Sequence, residues 1–134
     1  MSVKENKQVV QRAVDALNSS NWSEAVAEFA ATPADAEAFL EIHSAFRHAF
    51  PDYHFTVEDM IAEGDKVAVR GMVRATHKEE FPFVELKGIA PTGNQLEWRE
   101  IWIWQISDGR IVNSWEINDG VSRLQQLGVL PPPE

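Results

Sequence analysis

The sequence contains no cysteine, so no disulfide can staple the fold and no thiolate can act as nucleophile or metal ligand. Core burial has to supply the stability. No apolar run approaches the roughly 20 residues of a membrane-spanning helix. The opening Met1-Ser2-Val3-Lys4-Glu5-Asn6-Lys7-Gln8 also lacks the apolar stretch of a secretory signal, so a soluble, cytoplasmic protein without a membrane partner is expected. Positive charge is scarce: 12 Lys and Arg face 21 Asp and Glu, a net charge of −9. Such a field repels phosphate backbones and argues against nucleic acid as a partner. Low-complexity tracts, blocks of like charge and internal repeats are missing, and only Pro131-Pro132-Pro133-Glu134 reads as a tail. There is no His-x-x-x-His spacing, no Gly-rich phosphate loop and no Gly-x-Ser-x-Gly elbow, so no metal or other cofactor is expected.

What is present suits one domain over residues 1–134, with 44% apolar and 25% charged residues. Tryptophan is the unusual component. Four of the five, Trp98, Trp102, Trp104 and Trp115, fall within eighteen positions, which points to a function beside an aromatic wall.

Ser2-Val3-Lys4-Glu5 is a capping box, and Val10, Val14 and Leu17 follow at helical spacing, predicting a helix to about Leu17 that ends at Asn18-Ser19-Ser20-Asn21. Asn21 can cap a short second helix carrying Trp22, Ala25, Val26 and Phe29. Thr32-Pro33 starts a third, with cap and proline in their preferred places. Its stripe of Phe39, Leu40, His43, Phe46 and Phe50 should face inward until Pro51-Asp52 stops it.

After Tyr53 the period becomes two. His54 to Glu63 and Lys66 to His77 read as a hairpin turning at Gly64-Asp65, with facing positions that sum to 129, so that Asp59 opposes Arg70, Val57 opposes Met72 and Ile61 opposes Ala68. A loop containing Pro82, Gly88, Pro91 and Gly93 leads to a second hairpin, Gln95 to Ser107 and Arg110 to Asn118, around Asp108-Gly109. An unbroken register there sums to 217 and pairs Trp102 with Trp115, Trp104 with Asn113, Glu100 with Ile117 and Trp98 with Asp119, all on one face. The reverse face would carry Arg99, Ile101, Ile103, Val112, Ser114 and Glu116. Val121, Leu124 and Leu127 form a closing helix ended by Gly128. The expected fold is therefore α+β, a curved antiparallel sheet forming a cone with the N-terminal helices on its concave face and a cavity inside.

Several segments carry a resemblance: Phe50-Pro51-Asp52, Phe55-Thr56-Val57-Glu58-Asp59, Ala62-Glu63-Gly64-Asp65-Lys66-Val67, Ala75-Thr76-His77, Pro91-Thr92-Gly93, Glu97-Trp98-Arg99, Asp108-Gly109-Arg110-Ile111-Val112, Trp115-x-x-x-Asp119 and Gln125-Gln126-Leu127-Gly128. As a spaced series over most of the chain, it resembles the SnoaL-like polyketide cyclases, often called ester cyclases. The resemblance implies the nuclear transport factor 2-like (cystatin-like) fold, a hydrophobic pocket, and a homodimer formed through the sheet. It also implies ring closure by intramolecular aldol condensation without cofactor or metal, with an aspartate matching Asp119 as acid/base. The direct link Ala30-Ala31-Thr32-Pro33 departs from the family's longer connection and its Asp-His pair. Related cavities in limonene epoxide hydrolases use an Arg-x-Asp strand pair, where this chain reads Trp98-Arg99-Glu100-Ile101. Ketosteroid isomerases want an oxyanion-site tyrosine, and the one tyrosine, Tyr53, precedes the first strand.

The catalytic candidates are Asp119, alternatively the N-cap of the last helix, and His77, alternatively a loop-edge histidine. The substrate-binding candidates are Trp98, Trp102 and Trp115 as aromatic wall, and Arg70, otherwise a cross-strand partner of Asp59. His43 and Phe46, on the stripe that roofs the cavity, complete the set. Two functions fit: a cofactor-free acid/base enzyme acting on a small, largely apolar carbonyl compound, or a dimeric small-molecule binding or scaffold domain. In either case the homodimer should use the outer sheet face, including Ile101, Ile103 and Val112.

Overall fold

Residues 1–81 and 88–134 are described in the computed structural model; Pro82, expected in the central loop, lies outside them. Ser2 and Glu5 cap each other's backbone to open α1 (Val3–Leu17). α2 (Trp22–Phe29) follows after a tight bend, but Asn21 makes no side-chain capping bond; its side chain instead accepts from the Ser19 hydroxyl at 2.8 Å. Thr32 accepts from the Asp35 amide at 3.1 Å, with Pro33 as the first residue of α3 (Pro33–Ala49). Phe39, Leu40, His43 and Phe46 are half-buried. The α3 stripe faces the protein, but over much of its length it overlooks an open cavity.

Among the described residues four antiparallel strands follow in sequence order: β1 (His54–Glu63), β2 (Lys66–Thr76), β3 (Gln95–Ser107) and β4 (Arg110–Asn118). Both turns form where the sequence places them. Gly64 takes φ +59, while Asp108 and Gly109 take φ +50 and +75, the two positive values of a type I′ turn. α4 (Gly120–Gln126) closes the chain. The helices cover the inner face of the sheet, where Val67, Val69, Val73 and Ala75 of β2 and Leu96, Trp98, Trp102, Trp104 and Ile106 of β3 join Val9, Val10, Ala13 and Phe50 in one core. This is the expected α+β fold. Among the described residues no helix is long and apolar enough to cross a membrane.

Each hairpin contains one β-bulge, and these correct the expected registers. In β1 the register shifts between Val57 and Asp59, so Asp59 opposes Arg70 and Ile61 opposes Ala68 as expected, whereas Val57 opposes Gly71 rather than Met72. Gly71 makes the fit possible, because a Cβ there would collide with the Phe55 ring and the Thr56 carbonyl. In β4 the shift lies just past the turn, opposite Gln105 and Ile106. Ile106 still faces Ile111, but from Asn113 onward the pairs sum to 218: Trp104 opposes Ser114, Trp102 opposes Glu116 and Glu100 opposes Asn118. Since strand side chains alternate faces, this one extra residue inverts the rest of β4. Trp115 and Ile117 turn outward, half and 79% exposed, and Glu116 turns inward. Val112 is the extra residue. The start of β4 is pinned beside it: Ile111 bridges Ala30, and the Arg110 guanidinium donates to the carbonyls of Ala27 and Ala30 at 3.1 and 2.9 Å.

Candidate active site

A cavity of about 310 Å³ opens between α3, the end of α1 and the inner face of β3 and β4. Its apolar wall includes Leu17, Phe39, Ile42, Phe55, Trp102 and Trp104; its polar groups include His43, Arg47, Tyr53, Glu100, Ser114 and Glu116. A smaller chamber of about 170 Å³, lined by Val26, Phe29, Ile111 and Val112, adjoins it and shares Leu17, Phe39, Trp104 and Ser114. The Trp102 and Trp104 rings are stacked with centroids 4.0 Å apart, and the Trp102 and Phe55 centroids are 5.7 Å apart. Close aromatic packing makes this wall rigid.

Two carboxyls from neighbouring strands face each other in that wall. Glu100 is 6% exposed and its Oε1 accepts from the Trp98 indole N–H at 3.0 Å. Burial, and then the adjacent Glu116 charge, push Glu100 up to about 7. Glu116 stands on the edge strand and lines the cavity; crowding by protein on that concave wall raises its carboxyl, opposed by a hydrogen bond from Asn118 and by the Glu100 and Arg123 side chains. Two like charges this close cannot both form cheaply, so the pair retains a proton into the neutral range.

The groups opposite are donors or neutral. Burial, with the nearby Arg47 charge, lowers His43 to about 4, so its imidazole is neutral at pH 7, stacked 3.9 Å from Phe39. Burial raises Tyr53 well above its ordinary range, keeping the phenol protonated. Arg47 is clamped between the Trp22 and Tyr53 rings, 4.2 and 5.2 Å from their centroids, and donates to the Leu17 carbonyl. Its Nε is buried without a hydrogen-bond partner. Burial lowers its pKa, but a guanidinium stays cationic.

The residues singled out from sequence are distributed unevenly around this site. Trp102 and His43 line the cavity. Trp98 stands one layer behind it, holding Glu100. Phe46 points into the core against Phe81, 4.8 Å between centroids. Trp115 and Arg70 are on the outer face. Arg70 does not form the expected pair with Asp59: the β1 bulge brings Glu58 into reach, and its carboxylate meets Arg70 at 3.5 Å and Arg99 at 3.2 Å. His77 is the first residue after β2, at the loop edge as expected, but it is 1% exposed rather than open to solvent and does not line the 310 Å³ cavity. Its Nδ1 accepts from the Thr92 amide at 3.1 Å, tying two loop segments together, and burial lowers its pKa. Asp119 is the N-cap of α4, its carboxylate accepting from the Ser122 amide at 3.0 Å while its own amide donates to the Arg99 carbonyl at 3.0 Å. The unbroken register would have put it beside Trp98; the bulge removes that pairing. Arg47, Tyr53 and Glu116 were not singled out as site residues. Arg47 could have been found one helical turn beyond His43 on the α3 stripe; nothing in the alternation of β4 marks Glu116 as inward.

Helices roofing the concave face of a curved antiparallel sheet, with an aromatic cavity between them, define the small-molecule cavity proteins of the nuclear transport factor 2-like class. Within that class the chain belongs to the SnoaL-like polyketide cyclase family, whose profile matches residues 7–127. Similar solved structures include AclR of Streptomyces galilaeus, a proposed hydroxylase, at 28% identity and TM-score 0.82, covering 97% of this chain and all of that one. IdmH of Streptomyces antibioticus, a proposed polyketide cyclase, has 31% identity and TM-score 0.76 over 92% of this chain and 99% of its own. A proposed polyketide cyclase of Acidithiobacillus ferrooxidans has 26% identity and TM-score 0.80 over 96% and 98%. No curated protein matches the chain. Hydroxylase and cyclase occur among these neighbours, so the fold alone does not choose the chemistry.

Proposed function

We propose that this chain is a cofactor-independent acid/base enzyme of the SnoaL-like kind, acting on a small, largely apolar carbonyl compound in the 310 Å³ cavity. One observation carries the reading: two facing carboxyls that hold a proton into the neutral range stand in a wall of aromatic rings. A base with a pKa near the working pH is what proton abstraction next to a carbonyl needs. The carboxyl pair would take an α-proton, the C–H electrons would form the enolate double bond, and charge would move to the carbonyl oxygen. Arg47 and Tyr53, across the cavity, supply a cation and a hydroxyl that can stabilise that oxygen. The proton then returns to carbon, or the enolate carbon attacks a second carbonyl in an aldol step. Nothing in this sequence of events calls for a redox or metal centre.

We further propose a homodimer through the outer sheet face. Ile61, Ala68, Ile103 and Trp115 form one row across all four strands, with Ile101 and Ile117 in the next. Ile61, Ile101, Trp115 and Ile117 are each at least 50% exposed, a continuous apolar band of the kind a second copy covers. Val112, expected in that contact, lines the small chamber instead. Exchange of α-protons for deuterium in small ketones and β-diketones, followed by NMR, tests the catalytic reading: the wild type should accelerate it and the double variant Glu100→Gln/Glu116→Gln should not. Binding without any exchange would favour the non-catalytic binding domain.

A further inference from the structure

The carboxyl pair is asymmetric, and the asymmetry assigns its two members different work. Glu100 is enclosed: its residue is 6% exposed, it sits in a central strand, and one oxygen is already held by the Trp98 indole. Glu116 occupies the edge strand, exposed toward the cavity space it lines. Both carboxyls line the cavity, but Glu116 is the more exposed of the two, so a molecule there reaches Glu116 more readily with its own atoms.

We propose that Glu116 is the residue that exchanges a proton with the bound carbonyl compound, and that Glu100 is a positioning residue that holds Glu116 in place by a hydrogen bond. This rests on the acid/base reading above and assigns its working atom. The groups facing Glu116 are Glu100 from β3, Asn118 on its own strand, Arg123 from α4, Tyr53 before β1, and His43 and Arg47 from α3. Arg123 favours an ionised Glu116, and hydrogen bonds from Asn118 and Glu100 stabilise its charge. The low-dielectric wall opposes ionisation. His43 and Tyr53 are neutral, and burial keeps Glu100 protonated up to about 7, so loss of the Glu100 hydrogen bond should shift Glu116 upward only. Glutamine at position 100 can still accept from Trp98 and donate to Glu116, whereas leucine can do neither, which separates the charge of Glu100 from its hydrogen bonds.

The test uses 5-nitrobenzisoxazole, a flat bicyclic carbon acid. A base takes its C3 proton, the C–H electrons form the nitrile, and the N–O bond breaks to release 2-cyano-4-nitrophenolate. The rate against pH is measured for wild type, Glu116→Gln, Glu100→Gln, Glu100→Leu and the double variant Glu100→Gln/Glu116→Gln, together with carbon NMR titration of the glutamate carboxyls. Glu116→Gln should lose the rate about 100-fold or more, the usual scale for a removed general base. Glu100→Gln should keep a substantial rate and a Glu116 titration near that of wild type, whereas Glu100→Leu should move both the pH profile and the Glu116 titration to higher pH. A Glu116→Gln protein as fast as wild type, or a Glu100→Leu protein whose Glu116 titration stays in place or moves to lower pH, overturns the assignment. A wild type no faster than the double variant would overturn the acid/base reading itself, and this inference with it.

Discussion

The two hairpins are built alike, each with a two-residue turn and one bulge, yet one was largely readable from sequence and the other was not. In the first, the bulge at Glu58 lies well away from the turn, and the pairs between it and Gly64 are those that an unbroken register gives. In the second, the bulge at Val112 follows the turn almost at once, and every functional position of β4 lies beyond it. A turn fixes register only as far as the first irregularity. The first bulge moved one ion pair from Asp59 to Glu58 on the outer face; the second exchanged a tryptophan for a glutamate in the cavity wall.

The sharpest way to break this contrast is to insert one residue directly after Val112. With the bulge kept at a single residue, β4 beyond it should move by one position against β3, turning Trp115 and Ile117 into the cavity and Glu116 outward. Overfilling the space beside Trp102 and Trp104 should cost about 1–3 kcal/mol, the usual range for overpacking. Thermal unfolding would read this loss, and Glu100 should then titrate as a single carboxyl. A coupled titration that survived the insertion would mean that residue count at the bulge does not set the direction of Glu116.

The next effect is pH dependence. Burial raises Glu100 in the folded state to about 7 from an ordinary value of 4.5, so between these values the native protein binds more protons than the unfolded chain. Stability is therefore highest below the unfolded pKa and falls as pH rises through the neutral range. Glu100→Gln should flatten this fall, a difference on the order of 1–3 kcal/mol between pH 5 and pH 8. Chemical denaturation at both pH values measures it, and a wild type equally stable at each would show that Glu100 ionises without penalty.

The same two hairpins show how far the sequence reaches. Capping residues and the change of period located the helices and strands, because Ser2, Thr32, Gly64 and Asp108-Gly109 act through local backbone chemistry. Trp102 and Trp104 were placed on the inner face because β3 alternates without interruption. The rest of the site depended on facts that are not local. Glu116 faces inward because of a bulge that no turn residue marks. Arg47 matters because two rings from separate elements clamp it. His77, read as standing at a loop edge, is buried because Thr92, fifteen residues on, folds back onto it.

Asp119 gives the smallest effect and the finest discrimination between the hairpins' two registers. In the unbroken register it would sit beside Trp98 as a pocket acid; in the observed one it caps α4 through the Ser122 amide. Asparagine caps about as well as aspartate, whereas alanine cannot accept the amide bond and should cost about 0.5–2 kcal/mol. Asp119→Asn should therefore melt close to wild type and Asp119→Ala should melt lower, with the exchange of α-protons in the bound ketone following only the fraction folded. The opposite pattern, an Asp119→Asn protein of normal stability that no longer exchanges protons, would return the acid/base role to Asp119. The Glu100–Glu116 pair would then be left as a source of charge repulsion without a catalytic use.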